Sequence, residues 1–227
     1  MSMILGDLRF SVLEATIYGH VADRKGIPPG LSWSIEVQTE TRPVKVQMED
    51  EDPIEEEICA ELRLSCEFES YAMRRWSELE GKTVHSDMAD NSQFPAAFSY
   101  FETHERIPYS TLRFVKRTGN KFQIHWEGKC NPMFGKPYDR DVPFLIQTEA
   151  AFKEISVQVN RRDTDAMVLA RLSEYLDPSD FIQHPIKETV RDMPVEYIDS
   201  TFEKGLRWLF NCPKRVSTRS SIFEPRI

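Results

Sequence analysis

Residues 58–68 read ICAELRLSCEF. Ile58, Ala60, Leu62, Leu64, Cys66 and Phe68 take every second position, while Glu61, Arg63, Ser65 and Glu67 stand between them. Successive side chains of a strand point to opposite faces, so this spacing describes a long strand with one apolar and one polar face. Leu31, Trp33, Ile35 and Val37 repeat the pattern against Ser32, Ser34, Glu36 and Gln38, and Val44, Val46 and Met48 repeat it after Pro43. KGIPPG, 25–30, punctuates the approach to the first of these as a loop. Upstream, Leu8, Phe10 and Val12 are in one phase and Leu13, Ala15 and Ile17 in the other. A shift by one residue predicts a β-bulge, or a strand that passes from one sheet to another.

Further along, Thr111–Arg117 and Lys121–Glu127 flank Thr118-Gly119-Asn120, which supplies the backbone freedom that a tight hairpin needs. Strands are also expected near Phe144–Thr148 and at Ile155, Val157 and Val159. Three segments have helical spacing. Residues 72–81 carry Met73, Trp76 and Leu79 with Gly81 as a cap; 163–176 turns Ala166, Leu169, Ala170, Leu172 and Leu176 inward; and Ser200–Glu203 has the form of a capping box ahead of Phe202, Leu206, Leu209 and Phe210. No regular alternation of strand and helix demands a parallel sheet. The expected fold class is therefore α+β: mainly antiparallel β, as a sandwich or a strongly bent sheet, with one short mid-chain helix and two C-terminal helices. A single domain over 1–212 is expected, with a subdomain boundary near 85–95 in the turn-rich HSDMADNSQFP and a basic, loose tail over 213–227.

The chain has 227 residues, 40% of them hydrophobic and 29% charged, which is enough apolar matter for a core. Apolar runs long enough to cross a membrane as a helix are absent, as is a secretory leader pattern. Cys59, Cys66, Cys130 and Cys212 form no C-x-x-C pair. These features lead us to expect a cytoplasmic protein with reduced thiols, free of membrane. The net charge of −8 opposes a general affinity for nucleic acid, which depends on clustered Lys and Arg, and favours a basic protein partner. Much of the acid lies in EDEDPIEEE, 49–57, expected as a solvated loop or as the landing site of an electropositive partner.

The chemically richest stretch is FQIHWEGKC, 122–130. Read as a strand it splits in two: Phe122, Ile124 and Trp126 inward, Gln123, His125 and Glu127 outward, with Arg113 or Arg117 joining the outer set across the hairpin. His125 and Glu127 would ligate a metal only with a third donor, for which His104, Glu105, Asp139 and Asp141 are candidates. Lys129 and His125 are the groups that would lower the pKa of Cys130 if they reached it. The loop 128–141 adds Asn131, Met133, Phe134, Tyr138, Asp139 and Arg140, a mixture that either binds a partner or plugs the end of the sheet with Met133 and Phe134. Serine-hydrolase, P-loop and dinucleotide signatures are absent from the sequence.

Two expectations follow. The first is a protein-binding domain without catalysis, such as an immunity-type antagonist of a basic protein, meeting its partner through 49–57 and 128–141. The second is a metal-assisted or acid/base enzyme, or a small-ligand binder, on the His125/Glu127 face, and it requires His104 or Asp139 to converge on His125. The binding candidates common to both are His125, Glu127, Arg113, Tyr138, Asp139, Arg140 and His104. Neither a cofactor nor a metal is expected under the first.

Overall fold

The computed structural model describes residues 1–24, 27–47, 52–67, 74–87, 96–100, 104–132, 136–159, 162–185, 187–192 and 215–226. In chain order its strands are β1 (Ser2–Leu5), β2 (Leu8–Arg24), β3 (Ile27–Val46), β4 (Ile54–Glu67), β5 (Thr83–Asp87), β6 (Ala96–Tyr100), β7 (His104–Arg106), β8 (Tyr109–Thr118), β9 (Lys121–Cys130) and β10 (Val142–Gln158). After helix α1 (Asp165–Ser173) come β11 (Phe181–Gln183), β12 (Lys187–Asp192) and β13 (Arg215–Pro225). All thirteen strands belong to one sheet, ordered β5-β8-β9-β10-β1-β2-β3-β4-β6-β7, with β13 on β10 and both β11 and β12 on β13. Cα atoms of β5 and β6, near opposite ends of that order, come within 8 Å, so the sheet curls back on itself. Its inner face holds a single hydrophobic core that includes Met3, Phe10, Trp33, Trp126 and Phe152.

The period-two segments form strands with the expected sides inward. Leu31, Trp33, Ile35 and Val37 are buried on β3, as are Ile58, Ala60 and Leu62 on β4 and Phe122, Ile124 and Trp126 on β9. The phase change upstream is a bulge: the β2–β3 register shifts between Val12 and Glu14. Leu13 is pushed out to 68% exposure, while Phe10 and Ile17 are fully buried on either side. The hairpin turn is Gly119-Asn120, with Gly119 at φ 62° and Thr118 paired with Lys121.

The expected α+β class with two C-terminal helices is overturned. Strands account for 67% of the structure, and among the described residues one helix has seven or more residues. The capping box at Ser200–Glu203 lies outside the described residues. The mid-chain helix is reduced to a 3-10 turn, Trp76–Leu79, whose Trp76 stacks on Phe152 with ring centroids 4.9 Å apart. In α1 the inward side chains are Val168 and Leu172, followed by Leu176, whereas Ala166, Leu169 and Ala170 face out. The i, i+4, i+8 row of larger side chains buries more apolar area than the alanine-containing row would.

Other boundaries move for reasons of backbone pairing. The tail expected to be loose is β13, which pairs with Ile155–Gln158 of β10 beyond the point where the β8–β9 hairpin turns away, and buries Phe223. The two strands expected around 144–159 are one, β10, whose inward phase changes at a register shift between Phe152 and Glu154. His85–Asp87, assigned to a loop, belong to β5; 88–95 lie outside the described residues. Ile27–Gly30 already belong to β3, and Ile54–Glu57 of the acidic run belong to β4.

The corner carrying α1 is held by charge. Arg75 donates from Nε (3.0 Å) and Nη2 to the buried carboxylate of Asp180, and Arg74 donates to the carbonyls of Ser173 and Glu174, both at 2.9 Å. The two Arg74 bonds cap open carbonyls at the helix C-terminus with a cation, where the macrodipole favours one.

Two stability measurements check this arrangement. In urea titrations Leu13→Ser is expected to cost less than about 0.5 kcal/mol, and Phe10→Ala, three residues away, about 3–5 kcal/mol. At Gly128 an added Cβ would stand 2.4 Å from the Tyr109 carbonyl oxygen, a backbone atom held by the β8–β9 ladder. Gly128→Ala is therefore expected to lower stability by about 1–3 kcal/mol, and an unchanged midpoint would contradict the close strand approach.

Candidate functional site

The outer face of β5, β8, β9 and β10 is laid out by register. One row across it reads Thr83, Arg113, His125, Gln147, and the next reads His85, Thr111, Glu127, Leu145, Ile4. Arg113, His125 and Glu127 are thereby brought together as the alternation requires. His125 Nε2 lies 3.6 Å from Glu127 Oε2, beyond hydrogen-bond length, although this nitrogen is shielded from solvent and has no hydrogen-bond partner. The imidazole as a whole is half-buried and the carboxylate is exposed.

Beside this pair stands a group that sequence reasoning missed. Thr111 is only 4% exposed although it sits on the outer face. Its Oγ1 lies 3.1 Å from His85 Nδ1 and 3.2 Å from the hydroxyl of Tyr109. The clue in the sequence was the short alternation Val84–His85–Ser86, which the surrounding turn residues outweighed.

The remaining candidates lie elsewhere. Asp139 and Arg140 follow β9 by way of the loop that ends where Val142 pairs with Cys130. Cys130 is five strand positions beyond His125, about 17 Å. His104 lies in β7, paired with Tyr100 of β6, and its side chain is outside the described ones. Asp139 therefore does not converge on His125. Among the described residues no three His, Cys, Asp or Glu side chains are grouped to hold a metal.

Tyr138 is an anchor and not an exposed contact residue. It is buried, and its hydroxyl donates to Asp7 Oδ1 at 2.7 Å. Burial, together with this bond, pushes its pKa up to about 12, so the phenol stays a donor throughout the neutral range. The loop is also tied to the end of β3. Gln47 N–H donates to the Lys136 carbonyl at 3.2 Å, and Lys136 N–H returns a bond to Gln47 at 3.0 Å. Met133 and Phe134, the expected plug, lie outside the described residues.

The bridge has a consequence for the acidic run. Val46 pairs with Ile54, Lys45 with Glu55 and Pro43 with Glu57, so the strand start that bears these acids adjoins the loop. Asp52, Glu55 and Glu57 are exposed, as are Asp7 and Asp141, while Glu56 and Asp139 are partly so. Lys45, Lys136 and Arg140 are interspersed among them. That bridge brings the two segments, separated by some seventy residues of chain, beside each other, with Arg42 close enough to Tyr138 to act on its hydroxyl.

Cys130 departs from the reactive thiol considered above. It is fully buried with Sγ 3.8 Å from the Val142 carbonyl, and desolvation pushes its pKa up to about 12. A thiol with that pKa is about one part in ten thousand thiolate at about pH 8, and the thiolate is the nucleophile. With iodoacetamide at that pH, peptide mass spectrometry is expected to find Cys59, which is half-exposed, alkylated well before Cys130. Equal labelling of the two in folded protein would contradict the burial.

Comparison of the chain with protein-family models, with curated proteins and with solved structures finds no match to it.

Proposed function

We propose that this protein works by binding another protein that presents a basic surface, without catalysing a reaction, in the manner of an immunity-type antagonist. The observation that supports this reading is the reciprocal pair of backbone hydrogen bonds between Gln47 and Lys136, which sets the 131–141 loop beside the exposed acids of β4. A surface of this kind steers a cationic partner by long-range attraction, and contacts at its rim change association rates more than they change final affinity. Arg140 and Asp139 supply directional groups within it.

The alternative, acid/base or metal chemistry at His125 and Glu127, requires a converging group, and Asp139, in the loop that follows the far end of β9, is less well placed to be one. The outer sheet face remains a polar strip crossed by Tyr109, Thr111 and His85, and it contributes to binding in this reading only as flanking area.

The test is a capture experiment from the native cell with the tagged chain, at about 50 mM and about 500 mM salt, where screening lengths differ roughly threefold. A basic protein retained at the lower salt and released at the higher is the expected result. The double variant Glu55→Lys, Glu57→Lys is expected to weaken that capture at least about tenfold while leaving the thermal midpoint within a few degrees. Retention that is insensitive both to salt and to the charge reversal would sink the proposal.

A further inference from the structure

We infer that Tyr138 is the positioning residue of the binding surface: its hydrogen bond to Asp7 sets residues 136–141 in one conformation, so that Asp139 and Arg140 are offered to a partner already in place. This inference rests on the reading of that segment as part of the surface.

The loop is held at separate points. Gln47 and Lys136 pair through their backbones, and Asp141 N–H donates to Asn131 Oδ1 at 3.0 Å, closing the loop's stem over its own start. Tyr138 supplies the tie between them. Its side chain is 7% exposed, with the ring against Gly6, where even a Cβ would stand 3.5 Å from Cε1. Gly6 is at φ 60°, a left-handed conformation that glycine tolerates, and this turn exposes the Asp7 carboxylate to the phenol. The same turn reaches the loop's exit, since Gly6 N–H donates to the Pro143 carbonyl at 2.8 Å. One β1–β2 turn therefore grips both the middle of the loop and the first residues of β10.

The two residues that follow are placed differently. Asp139 is half-exposed and Arg140 exposed, and neither makes an ion pair or hydrogen bond with the other described residues. An anchored tyrosine followed by two solvent-facing charges is the arrangement that displays charges without ordering them at the moment of binding, the general benefit of preorganisation. A hydroxyl bonded to a carboxylate is a stronger tether than a neutral pair. Tyr138 itself, being buried, acts through the loop and touches no partner.

Amide hydrogen exchange on the free protein reads this directly, comparing the full chain with its Tyr138→Phe variant, which keeps the ring and loses only the hydroxyl. The Lys136 and Asp141 amides, which are donors in the two other ties, are expected to lose protection by at least about tenfold. Those of Ile124 and Trp126 in β9 are expected to stay as they were. Unchanged exchange at Lys136 and Asp141 would overturn the inference, because the loop would then hold without its tether. An equal loss through β9 would overturn it too, by showing that the bond stabilises the whole fold and positions nothing. Since exchange is measured without a partner, failure to capture a basic protein and failure of the tether give different results.

Discussion

Strand β10 is the constraint to which the rest of the molecule answers. Every backbone N–H and C=O along a buried strand needs a partner, and β10 runs for 17 residues through the centre of the sheet. On one edge β9 serves it from Val142 to Ala151, and where the hairpin turns back, β13 takes over from Ile155. On the other edge β1 pairs with Phe144–Gln147, and β2 follows in parallel from Ala151. The irregularity between Phe152 and Glu154 rotates the strand, exchanging even for odd positions on the inner face, so that Phe152 and Ile155 both stay buried.

This demand explains why the C-terminal segment is a strand. A loose tail would leave the last residues of β10 with one edge unpaired beneath Phe181 and Phe223, whose rings meet edge to face at 6.5 Å. It also explains the small role of helix. Once the sheet curves far enough to bring β5 near β6, most of the apolar surface finds its cover on the sheet's own inner face. What remains for α1 and the Trp76 turn is one corner, closed by aromatic stacking and by the Arg74 and Arg75 bonds.

The same geometry sorts the functional candidates. Alternation on β9 sends Trp126 into the core and leaves His125 and Glu127 outside, and the hairpin register sets Arg113 across from His125. The 131–141 loop stands at the other end of β9, where the β1–β2 turn and the end of β3 reach it. Two surfaces result, and the one with the greater charge draws on three stretches of sequence that are far apart.

Much of this was legible from residue order. Period-two burial in β3, β4 and β9, the Gly119-Asn120 turn and the bulge at Leu13 follow from local sterics and from the two-residue repeat of an extended chain, which no distant contact needs to supply. The acidic balance and the outward placement of His125 and Glu127 were equally local. Tertiary structure alone decided that α1 turns Val168 inward and Leu169 outward, that Tyr138 serves Asp7, that Cys130 is an inert buried thiol, and that the acidic run adjoins the 131–141 loop. Each of these depends on which backbone or apolar surface arrives from elsewhere in the chain to take up an unpaired group. Such an arrival leaves no mark on the spacing of the residues that receive it.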